Sequence, residues 1–165
     1  VIDWQRQPGQ GKYAKPERER RFLLTALPSA AGSPRLIEDR YLDGTRLRLR
    51  RVETTYKFCQ KVRPDEADPS VVAITNIYLS PAEYEVLRAL PAATLTKTRR
   101  HWQLGPFTFA VDEFHGPLTG LLLAEIELDD LTVDLPVGDS PFGPEVTHDD
   151  RFSGGKLATA TKIPG

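Results

Sequence analysis

The chain has no methionine and one cysteine among its 165 residues. A lone thiol, Cys59, cannot form an internal disulfide, so a reducing, cytoplasmic setting is the expectation. Long apolar runs are missing too: stretches such as Leu121 to Ala124 reach only four residues. A membrane-spanning helix needs roughly twenty, and a secretory leader needs a basic stretch followed by an apolar one, so neither is expected. Net charge is almost nil, with 22 Lys and Arg against 23 Asp and Glu. Bulk charge therefore favours neither nucleic acid nor a membrane surface. Familiar catalytic signatures are absent as well. Gly11-Lys12 and Gly155-Lys156 resemble the end of a phosphate loop, but neither has the earlier glycine, and neither lysine precedes Ser or Thr. No G-x-S-x-G occurs. His101, His115 and His148 are scattered, and Cys59 has no paired thiol or neighbouring histidine in sequence.

What is present is an ordinary globular composition, 39% hydrophobic and 27% charged, enough for one domain. The charge is segregated. Asp43 to Arg63 holds seven Lys or Arg against two acids, whereas Glu125 to Asp150 holds nine acids and no Lys or Arg. Such blocks suit either two solvated surfaces of opposite sign or one site that holds an anion and a metal together.

Residues 1–16 lack periodicity and read as an N-terminal arm; 17–165 read as a single domain. Short alternating segments fill most of it: Glu17 to Leu24, Arg35 to Leu42, Thr45 to Val52, Thr55 to Val62, Val71 to Leu79, Leu95 to Leu104, Phe107 to Phe114 and Leu121 to Leu128. Asp43-Gly44 marks a turn between two of them. One helix is signalled: Ser80 as N-cap, Pro81 at the first position, Glu83 completing a capping box, and Pro91 blocking extension. Asp134 to Pro144 reads as a loop, and Glu145 to Ala160 as a short strand and a short helix. The fold class is mainly β (α+β), an antiparallel barrel or sandwich of about eight strands with few helices.

Residues two apart on a strand share a face. Glu17, Glu19 and Arg21 share one face, Glu125 and Glu127 another, Arg46, Arg48 and Arg50 a third, and Lys97 and Arg99 a fourth. Charged faces normally point to solvent. A closed barrel with a polar lumen would instead turn these faces toward one another, with apolar faces packed outside. Carboxylates suit a hard cation such as Mg²⁺ or Mn²⁺, and Arg and Lys rows suit phosphate oxygens.

Glu17-Arg18-Glu19-Arg20-Arg21 resembles the E-x-E-x-K opening of the CYTH domain, or triphosphate tunnel metalloenzyme, family. Tyr41 to Arg50, Lys97-Thr98-Arg99, Val111-Asp112-Glu113-Phe114 with Gly116, Ala124 to Glu127, and Glu145-Val146-Thr147 with Arg151-Phe152 resemble its later motifs in order. The resemblance implies an eight-stranded antiparallel tunnel-like barrel with a few peripheral helices. It also implies cleavage or cyclisation of triphosphates with Mg²⁺ or Mn²⁺. Carried over by motif, Glu17, Glu19, Glu125 and Glu127 are implied as metal ligands. Glu19 and Asp112 are implied in catalysis, with Asp112 helping the metal or ordering a base. Arg21, Arg48, Arg50, Lys61, Lys97 and Arg99 are implied in phosphate binding. Arg21 stands where the family usually has Lys and binds phosphate differently. Many members carry a further acidic pair on the strand before the first helix; here Val72 to Tyr78 contains no acid, which leaves the number of metal ions open.

The expected activity is metal-dependent hydrolysis of inorganic triphosphate or a small triphosphorylated molecule. The alternatives are a non-hydrolytic module that holds polyphosphate or a triphosphate nucleotide, and an adenylate cyclase. For the last, Trp4, Trp102 and Tyr13 are the aromatic side chains that could stack on a base. A small triphosphate is the expected partner, a homodimer is left open, and nucleic acid and membrane are disfavoured.

Overall fold

The computed structural model describes residues 6–165; Trp4 and the start of the arm lie outside them. Nine strands run β1 (Lys15–Leu24), β2 (Arg35–Leu42), β3 (Leu47–Val52), β4 (Thr55–Val62), β5 (Val71–Leu79), β6 (Ala92–Leu104), β7 (Phe107–Phe114), β8 (Leu122–Glu127) and β9 (Phe142–Glu145). Two helices join them, α1 (Pro81–Arg88) and α2 (Gly154–Thr159). All neighbours in the order β5-β4-β3-β2-β6-β7-β8-β1 pair antiparallel, and a β5–β1 pairing closes the ring. The mainly β barrel of eight antiparallel strands expected from the sequence is what forms.

β9 is a correction, because its sequence reads as loop. It exists because β5 covers only the first part of β1, residues Lys15 to Arg18. Beyond that point the exposed edge of β1 needs partners. β9 pairs there at Phe22 and Leu24, while Arg21 N–H donates to Thr147 Oγ1 and its carbonyl accepts from Val146 N–H. The arm also ends earlier than expected, since Lys15 and Pro16 already pair with β5.

α1 follows its sequence cues. Ser80 Oγ accepts from Glu83 N–H at 3.2 Å and Glu83 Oε2 accepts from Ser80 N–H at 2.7 Å. The helix lies over the outer face, where the Tyr84 ring packs at a tilt against Tyr56 with ring centroids 4.5 Å apart.

Two apolar clusters hold the barrel. The first is outside: Phe22, Trp102, Phe109, Val111, Ala124 and Ile126, covered by Leu135 and Phe142. Each fully buried large side chain of this kind is worth about 1.5–3 kcal/mol. The second is partly inside the ring. Leu95 shares a face with Lys97, Leu123 with Glu125, and Phe114 with Asp112. These residues pack with Phe152 and Leu157 from the C-terminal segment. The expectation that apolar faces would lie only outside is thereby corrected: α2 and the 3-10 turn at Asp150–Phe152 fill one end of the lumen.

Candidate functional site

A cavity of about 690 Å³ occupies the rest of the lumen. Strand parity delivers its lining. Glu17, Glu19 and Arg21 come from β1, Arg48 and Arg50 from β3, Lys57, Cys59 and Lys61 from β4, Lys97 and Arg99 from β6, and Glu125 and Glu127 from β8. The charged faces singled out in the sequence therefore converge on one volume. Register sets the neighbours. Glu19 lies opposite Glu127, Arg21 opposite Glu125, and Arg48 opposite Cys59.

Like charges in so small a space need counter-charges, and the chain supplies them from behind. Asp39, fully buried on β2, accepts from Arg50 Nε and Nη2 at 2.7 Å each, and Arg48 Nε lies 3.9 Å away. Burial alone would raise the Asp39 pKa; the bidentate bond from Arg50 and the charges of Arg48 and Lys97 outweigh it and hold the pKa at about 2. Asp112, equally buried, bonds Lys97 Nζ at 2.5 Å and Arg99 at 2.6 Å through both oxygens. Asp112 is not among the cavity-lining residues. It orients the two cations rather than reaching into the lumen.

The carboxylates are similarly engaged. Glu17 pairs with Lys61 Nζ. Glu125 accepts from Arg99 Nη2 at 2.6 Å. Glu19 lies 3.8 Å from Arg21 Nε. Glu19 and Glu125 each keep 21% of their side-chain surface open, because the lumen is solvent-accessible although protein surrounds it. Burial, and then the charge of Glu125, raises the Glu19 pKa. For Glu125 burial acts the same way but is overcome by Lys97 and Arg99, which depress its pKa. One carboxyl of the pair thus holds a proton more readily than the other.

The donor set fits a hard divalent cation. Four carboxylates from adjacent strands, Glu17 and Glu19 on β1 and Glu125 and Glu127 on β8, share one wall of the cavity, the donor type a hard cation takes. Among the described residues, no three acid, histidine or cysteine side chains are already gathered around one point. Ligation would draw Glu17 and Glu125 away from Lys61 and Arg99.

Arg21 lines the cavity as its motif position implies and has backbone partners as well. It is 4% exposed, and its guanidinium donates to the carbonyls of Phe152 at 2.9 Å and Thr147 at 3.2 Å. It lines the cavity while anchoring the segment that fills the lumen's end. Trp102 is buried in the outer cluster, away from the lumen, and Tyr13 is an exposed surface residue. Neither lines the cavity to stack on a base. Sequence reasoning missed Asp39 and Tyr41. The alternation of Ile37, Asp39 and Tyr41 on one β2 face was the available signal.

A closed antiparallel barrel whose lumen sets carboxylates against rows of Arg and Lys is consistent with the CYTH, or triphosphate tunnel, family that the sequence motifs resemble. No protein-family model and no curated protein matches it. Solved structures do. The inorganic triphosphatase NE1496 is 28% identical with a TM-score of 0.59, over 90% of this chain and 97% of that one. A second structure, named hypothetical protein NE1496, gives 28% and 0.60 over 90% and 99%. A conserved hypothetical protein from Pyrococcus furiosus shares the fold at 21% identity and a TM-score of 0.53, over 76% and 81%. No helix among the described residues is long and apolar enough to cross a membrane.

Proposed function

We propose that the chain hydrolyses a triphosphate, inorganic or borne by a small molecule, with Mg²⁺ or Mn²⁺. The observation that carries this reading is the convergence of basic rows and acidic pairs on one lumen of about 690 Å³. The similarity to inorganic triphosphatase NE1496 supports it. Arg48, Arg50 and Lys97 bind the phosphate oxygens; Asp39 and Asp112 hold them in place, so little reorganisation is needed as charge shifts during reaction. Arg99 and Lys61 exchange their carboxylate partners for phosphate. Glu17, Glu19, Glu125 and Glu127 would hold the divalent ion, which would supply charge neutralisation for the phosphates. Water attacks the terminal phosphorus, its proton passes to Glu19, and the bridging P–O bond breaks to release orthophosphate and diphosphate. For a phosphate ester the diphosphate stays on the organic group.

The experiment is phosphate release from inorganic triphosphate, thiamine triphosphate, ATP and long-chain polyphosphate, with Mg²⁺, Mn²⁺ or chelator. Glu125→Gln should lose turnover by ~10²-fold or more while remaining folded. Near-parental activity in a folded Glu125→Gln would sink the assignment. A reading without turnover has one observation in its favour: the β5 wall of the cavity is Val72, Ile74 and Asn76, with no acid. Tight triphosphate binding with no metal-dependent product over hours would select it.

A further inference from the structure

The lysines of the chain fall into three groups. Lys12, Lys15, Lys156 and Lys162 are exposed on the surface. Lys61 and Lys97 line the lumen and are held by carboxylates, Lys61 by Glu17 and Lys97 by Asp112. Lys57 lines the lumen too, half-buried, but has no carboxylate or hydrogen-bond partner among the described residues.

Strand register explains its state. Lys57 lies opposite Arg50 of β3 and Tyr78 of β5, and its ammonium rests 5.9 Å from the centre of the Tyr78 ring. Like charges directly opposite one another destabilise a sheet. Arg50 is compensated by Asp39; Lys57 is not. Burial, and then repulsion from Arg50 and Arg48, lowers the Lys57 pKa, against an opposing pull from Cys59 and Glu17. A partly desolvated amine beside other cations is an activated nucleophile. An anion site adjoins it. Arg48 and Arg50 line the same cavity from the neighbouring strand. Arg48 is 8% exposed, and its buried Nε has no hydrogen-bond partner, since Asp39 Oδ1 at 3.9 Å is too far to bond. An incoming anion would satisfy that donor.

We propose that Lys57 is a site of acylation by acyl phosphates. The Arg48 and Arg50 guanidinium groups take the phosphoryl oxygens, which brings the carbonyl carbon to the free amine of Lys57. The nitrogen lone pair forms the N–C bond. The bond from the carbonyl carbon to the bridging oxygen breaks, its electron pair stays on that oxygen, and one amine proton passes to the departing orthophosphate. The product is an uncharged amide beside Tyr78. The consequence rests on the triphosphate reading above: each acylation removes one cation from the lumen and weakens its hold on the substrate.

The test is site-resolved mass spectrometry of the full chain, with chelator present, after treatment with acetyl phosphate or with the uncharged acetyl N-hydroxysuccinimide ester. Labelling of Lys57 is compared with that of the exposed Lys156. The Lys57 to Lys156 ratio with acetyl phosphate should exceed the ratio with the ester by about tenfold, the size of one charge-assisted contact. Folded Arg48→Gln should lose most of that excess and keep the ester ratio. Equal ratios for the two reagents in the parent, or an undiminished excess in folded Arg48→Gln, would overturn the proposal and leave the triphosphate reading standing. Saturating inorganic triphosphate should suppress labelling of Lys57 by acetyl phosphate. Directed labelling that survives it would uphold the acylation site and overturn the triphosphate reading.

Discussion

Asp39 offers the sharpest test of how the lumen is held. It is buried to 1% exposure and is the carboxylate that compensates Arg50, with Arg48 and Lys97 close by. Asp39→Asn keeps the shape and one acceptor oxygen but removes the charge. Breaking one side of a buried ion pair costs about 3–5 kcal/mol, because the remaining charge is left uncompensated. The retained amide oxygen returns part of this, so the net loss should be about 2–4 kcal/mol. For a chain of this size that lowers the melting temperature by about 5–12 °C. Thermal unfolding of parent and variant, without ligand, measures it directly. Saturating triphosphate should narrow the gap, since the anion brings the missing negative charge to the same cations. An Asp39→Asn variant that melts with the parent, free of ligand, would refute the claim that Asp39 makes the basic rows tolerable.

Acid should act through the same residue. The Asp39 pKa is depressed from 3.8 to about 2 in the folded chain, so its contribution is complete above the unfolded value and is lost as pH falls from about 4 through 2. That contribution is about 2–3 kcal/mol, so the denaturant midpoint should fall further between pH 5 and pH 2.5 in the parent than in Asp39→Asn; equal falls would discount the pairing. At the filled end of the lumen, a Cβ on Gly154 would collide with the Tyr41 hydroxyl. Gly154→Ala should therefore cost roughly 1–3 kcal/mol in unfolding free energy, and an unchanged unfolding midpoint would show that Tyr41 yields freely.

Much of this was legible in the sequence because strand periodicity and local capping are short-range facts. The alternation of Arg46, Arg48 and Arg50 placed a basic row on one face, and Ser80, Pro81 and Glu83 fixed the start of α1 before any tertiary contact was known. Pairing across strands was less legible. A two-residue turn at Asp43-Gly44 would set Asp39 opposite Arg48. The connection is longer, and Asp39 faces Arg50 instead. Arg21 was legible as a lumen cation but not as an anchor, since its partners are backbone carbonyls more than a hundred residues away. The filling of one barrel end escaped sequence reading for the same reason. Leu95, Phe114 and Leu123 continue faces that carry charge elsewhere, and only the arrival of Phe152 and Leu157 gives them company.

That filled end makes the last segment of the chain part of the cavity's own wall. Phe152 and Leu157 pack on Leu95 and Leu123, Arg21 is held by the carbonyls of Phe152 and Thr147, and Ser153, Gly154 and Gly155 line the cavity between them. Undocking this segment would therefore remove one side of the lumen and strip Arg21 of its partners in a single step, so the docking of the segment and the shape of the cavity are one property.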